Sequence, residues 1–217
     1  MLKFVLLLAP LLASAGCVQH DGGERINGAV SVAAGQSATD ASTVNGAIHV
    51  APDAAVLEAT TVNGSITLGD RATATSAATV NGGITVGALA RVAGDVRTVN
   101  GALTLKKGAD VQGDLQNVNG RITLEAAHLG GSIETVAGDI TVGADARVDG
   151  GIAVRKPQGF SISFSKNVPV IVIGPGAMVK GPLKFEREVK LLVSDRATIG
   201  PVSGATPVSF AGDSPPA

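Results

Sequence analysis

The sequence has no Trp or Tyr and only five Phe among its 217 residues. Large aromatic side chains usually fill globular cores, so their scarcity favours a thin structure whose narrow interior holds small and β-branched side chains. Charge is balanced, with 17 Lys and Arg against 18 Asp and Glu. No block of basic residues could neutralise a line of phosphates, so nucleic-acid binding is not expected.

The single cysteine, Cys17, has no partner for an internal disulfide. It follows Lys3 and an apolar run that is too short to span a bilayer and is typical of an export signal. The run ends in Leu-Ala-Ser-Ala-Gly-Cys, which resembles the lipobox of bacterial lipoproteins. The resemblance implies a signal peptide over residues 1–16, acylation of the Cys17 sulfur, and a lipid-anchored tether over residues 17–24.

The export signal leaves one alternative open. Ser14 stands where a lipobox usually has a larger aliphatic residue, and cleavage by ordinary signal peptidase after Ala-Ser-Ala would leave Cys17 without lipid. Val18 is not the Asp that is associated with inner-membrane retention in enterobacteria. In a Gram-negative host, the expected location is therefore the outer membrane, facing the periplasm.

The dipeptide Asn-Gly recurs at steps of 18, 18, 18, 19 and 19 residues, at Asn27, Asn45, Asn63, Asn81, Asn100 and Asn119. Units this short cannot bury a core alone, so they must stack as a solenoid. The period predicts an all-β fold, a single-stranded right-handed parallel β-helix (β-solenoid) with about 18–19 residues per coil. We expect the asparagines to form a ladder of amide hydrogen bonds. The second half of the repeat has the form Gly-x-x-Ala-x-Val-x-Gly-x-Ile, as in Gly87 to Val96, Gly143 to Ile152 and Gly174 to Leu183, and its glycines are expected at corners that favour positive φ.

Each Asn-Gly precedes a short run in which polar and apolar residues alternate, as in a strand with one buried face. The apolar pairs are expected to point inward: Ile66 and Leu68, Ile84 and Val86, Leu103 and Leu105, Ile122 and Leu124, Ile140 and Val142. The residues between them should form an outward column, which begins with Ser31 and His49 and continues as a candidate binding face: Thr67, Thr85, Thr104, Thr123 and Thr141. A neighbouring column is also expected to present side chains outward: Thr43, Thr61, Thr79, Thr98, Asn117 and Thr135.

The repeat divides the rest of the chain. Regular coils are predicted over residues 25–154, irregular and closing coils over 155–204, and a disordered tail over 205–217. Within the irregular part, residues 159–166 alternate Phe and Ile with Ser and are expected to form a core-covering strand or an exposed docking strip. Residues 184–190 alternate in charge, which indicates a solvated strand face.

The late repeats, from Ile173 to Leu183 and from Ser194 to Gly200, resemble those of the bactofilins. That resemblance implies a non-enzymatic β-helix that polymerises end to end through its terminal coils, sometimes against a membrane. The export signal and lipobox depart from the bactofilin pattern. The repeat motif Thr-Val-Asn-Gly-x-Ile-Thr-Val is also similar to that of exported strand-repeat adhesins.

The sequence offers weak candidates for catalytic or metal-binding residues. His49 and His128 fall in outward columns without a second ligand at metal-binding spacing, so no metal and no cofactor is expected. Gly-Asp pairs at Asp95, Asp114 and Asp139 lack the nonapeptide of calcium-binding rolls. The uneven spacing of apolar residues does not match the hexapeptide acyltransferases, and the short loops do not match the pectate-lyase-like enzymes.

Two hypotheses follow, and neither is an enzyme. The first is an envelope structural protein that self-associates or acts as a rigid spacer. The second is an adhesin or binding module whose threonine columns contact glycan or peptidoglycan.

Overall fold

A computed structural model describes residues 24–156 and 168–215. Throughout these residues the chain is all-β, without a helix, and every paired strand runs parallel to its neighbours. The coils stack about ten deep with about 18 residues each, which confirms the predicted β-solenoid. The export signal, Cys17, most of the tether and residues 159–166 lie outside the described residues.

One wall of the solenoid, the first sheet, takes one strand from every coil. Numbered with all strands in chain order, its ten members in the described residues are β2 (Val30–Val32), β4 (Ile48–Val50), β6 (Ile66–Leu68), β8 (Ile84–Val86), β11 (Leu103–Leu105), β14 (Ile122–Leu124), β17 (Ile140–Val142), β20 (Val170–Ile173), β23 (Lys190–Ser194) and β26 (Val208–Phe210).

The remaining perimeter forms the second sheet, which is continuous early and divided later. Its early strands are β1 (Glu24–Asn27), β3 (Ser37–Asn45), β5 (Ala55–Asn63) and β7 (Thr73–Asn81). After β7 each coil contributes two short strands. The first series is β9 (Arg91–Val92), β12 (Asp110–Val111), β15 (His128–Leu129), β18 (Arg147–Val148), β21 (Met178–Val179) and β24 (Thr198–Ile199); the second is β10 (Val96–Asn100), β13 (Leu115–Gln116), β16 (Ile133–Thr135), β19 (Ile152–Val154), β22 (Leu183–Phe185) and β25 (Val202–Ser203).

The core is a stack of columns with one inward side chain per coil at each position. The predicted inward pairs of the first sheet are at most 1% exposed, which confirms them. Opposite them, one column changes in size along the rod, from Ala41, Ala59 and Ala77 to Val96, Leu115, Ile133, Ile152 and Leu183. The interior is therefore narrow at the N-terminal end and filled by large aliphatic side chains further on.

The Asn-Gly corner is set by stacking rather than by backbone handedness. Of its six glycines only Gly28 and Gly120 have positive φ, and the other four do not. The positive φ predicted for the second-half glycines is wrong for Gly87, Gly94, Gly143, Gly150, Gly174 and Gly181. The four remaining Asn-Gly glycines are Gly46, Gly64, Gly82 and Gly101. A Cβ on any of those four would overlap the carbonyl oxygen of the corresponding glycine one coil earlier. Left-handed backbone instead lies in the turns after the first-sheet strands: Gly35, Asp53, Arg71, Leu89, Gly108, Ala126, Asp145 and Gly176.

A further corner appears in the coils after β7, where two short strands replace the single long strand of the second sheet. Strand β7 pairs with β9 at an offset of 18 residues (Ala74↔Val92) and with β10 at an offset of 19 residues (Ala77↔Val96). The later coil therefore has one extra residue between its two short strands. Asp95 Oδ1 then accepts a hydrogen bond from the Asp114 backbone N–H (2.8 Å), and Asp114 Oδ1 accepts one from Ser132 N–H (2.7 Å). These aspartates thus link successive coils.

The C-terminal end is more ordered than predicted. The expectation of a disordered tail over 205–217 is wrong for Val208–Phe210, which form β26 in register with β23. Phe210 is buried, and the Arg196 guanidinium contacts the Asp213 carboxylate at 2.6 Å. In the preceding charged segment, the side chain of Lys184 is exposed while that of Phe185 is buried.

Candidate functional site

The predicted threonine face is a single column on the outer side of the first sheet. Pairing in register joins Ser31, His49, Thr67, Thr85, Thr104, Thr123 and Thr141 one above another. The five threonines are half-buried, because each lies between neighbours in the sheet. They form a continuous row of hydroxyl and methyl groups, with one threonine per coil.

The second threonine column points inward, and its predicted exposure is wrong. Its six residues are at most 5% exposed. The hydroxyls of Thr43, Thr61, Thr79 and Thr98 donate to the carbonyl oxygen of the Asn-Gly glycine one coil earlier, at 2.9–3.1 Å. These bonds satisfy the buried hydroxyls, which would otherwise be costly inside a core. A two-column hydroxyl array of the kind used by ice-binding surfaces is therefore not present in the described chain.

Asn117 interrupts that inward column. Its Nδ2 donates to Gly101 O at 2.8 Å, but its buried Oδ1 has no hydrogen-bond partner in the residues described. At the end of the column, Thr135 Oγ1 accepts from the Gly138 backbone N–H at 3.1 Å. Thr135 thus accepts a hydrogen bond where the earlier threonines donate one. The change occurs in the coil where Ala137 stands in place of the repeat Asn.

The six repeat asparagines are linked by side-chain hydrogen bonds. In each step Nδ2 of one residue donates to Oδ1 of the residue one coil earlier, from Asn119 down to Asn27, at 2.9–3.1 Å. The amides lie on the surface, so this ladder runs along an outer corner.

An exposed apolar ridge lies beside the asparagine ladder and was missed in the sequence. It consists of the residue before each of the first five repeat asparagines, and these side chains are 38–74% exposed: Ile26, Val44, Val62, Val80 and Val99. The Thr-Val-Asn-Gly order contains the signal, since an inward Thr requires the next side chain in a strand to point outward.

A depression of about 600 Å³ interrupts the threonine face between Ala102 and Pro169. Thr104 and Thr123 lie in it, with Lys106 and Glu125 on one side and Arg121 and Asp139 on the other. Lys106 Nζ contacts Glu125 Oε1 at 3.0 Å, whereas the Arg121 guanidinium is 3.9 Å from the Asp139 carboxylate. Nothing in the repeat pattern predicts this concavity.

His128 lies between two carboxylates that the repeat alignment does not place beside it. Its Nδ1 lies 2.7 Å from Asp110 Oδ1 and its Nε2 lies 3.2 Å from Asp149 Oδ2. The hydrogen bond to Asp110 is the main cause of a raised pKa at His128, which partial burial opposes and Asp149 reinforces. Hydrogen bonds from Arg147, Lys180 and His128 hold the pKa of Asp149 far below its usual range.

This arrangement differs from a metal centre. No group of three or more His, Cys, Asp or Glu side chains is placed to hold a metal ion in residues 24–156 and 168–215. Asp149 already binds Arg147, Lys180 and His128, so its oxygens serve as the centre of an ionic cluster.

No protein-family model matches the chain, and neither a curated protein nor a solved structure is similar enough to count as a match. The described residues also contain no helix that is long and apolar enough to cross a membrane.

Proposed function

We propose that this chain is a non-enzymatic structural protein of the bacterial cell envelope. In this proposal, Cys17 carries the lipid anchor, and the β-solenoid acts as a rigid scaffold or spacer that associates end to end, as in the bactofilins that its repeats resemble. Arguments for the anchor come from the lipobox-like segment, and those for association come from the two ends of the rod.

The observation that carries the association proposal is the strand edge at each end of the described chain, which has no partner among the described residues. At the N-terminal end of the described chain, β1 pairs with β3 and β2 pairs with β4, and neither has a second partner in residues 24–156 and 168–215. At the C-terminal end of the described chain, β24, β25 and β26 each pair with a single strand. Open edges are templates for further pairing.

The geometry of those edges favours a linear assembly. All strands of the rod are parallel, so a second copy stacked head to tail would continue both sheets in the same direction. Such contacts join two different surfaces and do not close on themselves, which generates filaments. Ten strands about 4.8 Å apart give each copy a length of about 45 Å along the filament.

The decisive experiment is negative-stain electron microscopy of residues 17–217 carrying Cys17→Ser, as a dilution series at physiological salt. We expect filaments or end-to-end rods that shorten on dilution. Ile199→Lys places a charge at the last strand of its series and should reduce association at least tenfold. Ala153→Lys, at an outward position on β19, two strands before the C-terminal edge of its series, is the matched control and should assemble normally.

Thermal unfolding of both variants separates loss of association from loss of fold. A folded Ile199→Lys protein that forms filaments like the parent would contradict association through this edge. Single short rods at every concentration would contradict association altogether, while leaving the spacer role standing.

The anchor has its own test. Expressed in a Gram-negative host with a labelled fatty acid, the full chain should incorporate label and fractionate with membranes, and Cys17→Ser should do neither. Cleavage of the parent without incorporation would favour ordinary signal peptidase and exclude the lipid anchor.

A further inference from the structure

The depression on the threonine face arises from a local change in two columns that flank the threonines. On the side preceding each first-sheet strand, the early coils carry Ala47, Ser65, Gly83 and Ala102; on the side that follows it, they carry Ala51, Gly69 and Gly87. In the next coils these positions become Arg121 and Asp139 on one side and Lys106 and Glu125 on the other. Long polar side chains thereby wall in a face that small residues leave flat elsewhere.

Several polar groups in this walled segment are not used by the fold. The hydroxyls of Thr104 and Thr123 make no hydrogen bond to any described residue. The Arg121 side chain is 67% exposed, and its 3.9 Å approach to Asp139 is too long for a hydrogen bond. Two hydroxyls and a guanidinium fork are therefore available to a ligand.

The remaining groups hold the walls in place. Lys106 Nζ lies 3.0 and 3.4 Å from the two Glu125 carboxylate oxygens. Asp139 Oδ1 accepts the Val170 backbone N–H at 2.9 Å, which leaves Oδ2 directed toward Arg121. Pro169 adds an apolar surface at the edge.

These groups complement one kind of ligand. A guanidinium fork matches a carboxylate in a two-point contact, and threonine hydroxyls both donate to and accept from sugar hydroxyls. A volume of about 600 Å³ falls within the range of small-molecule sites. We propose that this depression binds a carboxylate-bearing saccharide, with Arg121 on the carboxylate and Thr104 and Thr123 on ring hydroxyls.

The proposal goes beyond the scaffold role and does not depend on it, because the depression lies on the side of the rod and a monomeric chain would keep it. A neutral sugar would leave the Arg121 fork unused. A small inorganic anion without hydroxyl groups could accept from the two threonine hydroxyls but could not donate to them.

The test is a ¹⁵N NMR titration of residues 17–217 carrying Cys17→Ser, with D-glucuronate as the probe. We expect weak saturable binding, with Kd on the order of 1 mM, and shifts confined to the walled segment. Arg121→Gln should raise Kd about tenfold or more, and Arg121→Lys, which keeps the charge without the fork, should fall between. Thr123→Val should raise Kd several-fold, whereas Thr85→Val, in the same column outside the depression, should leave it unchanged.

Three outcomes would overturn the proposal. Glucose binding as tightly as glucuronate would remove the role of the carboxylate. Inorganic phosphate binding as tightly as glucuronate would reduce the site to a general anion site. Equal weakening by Thr85→Val and Thr123→Val would show that the walls do not define the site.

Discussion

The solenoid has two regions that differ in strand length and in the size of their core side chains. The early region contains β3, β5 and β7, and the later region contains the coils after Asn81. In the early coils one continuous strand of nine residues closes two sides over an alanine column. In the later coils the strand is divided, and Val, Leu or Ile replaces the alanine. The first 19-residue step coincides with the replacement of Ala77 by Val96, so a larger interior comes with a longer perimeter.

The two regions also differ in how their surfaces link one coil to the next. The uncharged amides of the asparagine ladder join all the early coils and continue as far as Asn119, and the early coils also have an ionic link between Arg71 and Asp53. Later coils rely on ionic links, including Arg155 with both Glu134 and Glu186, and Asp149 with Lys180. We therefore expect stability in the later region to depend more strongly on pH and salt.

The largest effect should come from exchanging core residues between the regions. Leu115→Ala puts the early residue into the later coil and should lower the free energy of unfolding by about 3 kcal/mol, because it leaves a cavity. Ala59→Leu, the reverse exchange in the same column, should cost about 1–3 kcal/mol through overpacking. Denaturant unfolding measures both, and no loss in Ala59→Leu would show that the early coils are loosely packed.

Gly64→Ala should be the next most damaging, at about 2 kcal/mol, because the new Cβ would overlap the Gly46 carbonyl oxygen. The neighbouring exposed Ser65→Ala is the control and should change stability by less than about 0.5 kcal/mol. Thermal unfolding of the two variants gives the comparison. Equal stability would mean that the corner can relax.

Asn63→Ala removes two ladder hydrogen bonds, one to Asn45 and one from Asn81, and should cost about 1 kcal/mol. Asn27→Ala, at the end of the ladder, removes one and should cost about half as much. Denaturant titration of both variants measures this ratio. Equal losses would argue against a contribution from each step.

Asn117→Thr should stabilise the chain by about 1 kcal/mol. The substitution removes the buried unpartnered Oδ1 and restores the hydroxyl that other members of the column use to reach the preceding glycine carbonyl. A higher melting temperature would confirm this, and a lower one would show that the wider later coil needs the longer amide.

The smallest effect concerns His128. Its pKa is raised in the fold, so its contribution to stability is complete below the unfolded value of about 6.5 and is lost as pH rises through the higher folded value. Because the side chain is about one-third exposed, the effect should be less than about 1 kcal/mol. The melting temperature of the parent minus that of His128→Asn should fall between pH 6 and pH 9, and Asp110→Asn should flatten the profile in the same way.

The repeat period and the inward pairs of the first sheet could be predicted, because each depends only on spacing and alternation within one coil. The orientation of Thr43 could not. Two consecutive outward residues, Thr39 and Asp40, break the alternation inside β3 and shift the phase that Thr43 follows. Similarly, Asp149 reaches His128 diagonally from a later coil, and the depression forms only when side chains from different coils face each other across the threonine column.

Hydrogen bonding between coils gives the rod unequal resistance to force in different directions. The backbone bonds that join the coils run along the rod axis, so compression presses the strands together, whereas tension loads the bonds directly. One released coil of 18 residues extends to about 60 Å, against a rise of about 4.8 Å when stacked. With force applied through the proposed N-terminal anchor, the alanine-lined coils would open first, and the rod would lengthen one coil at a time.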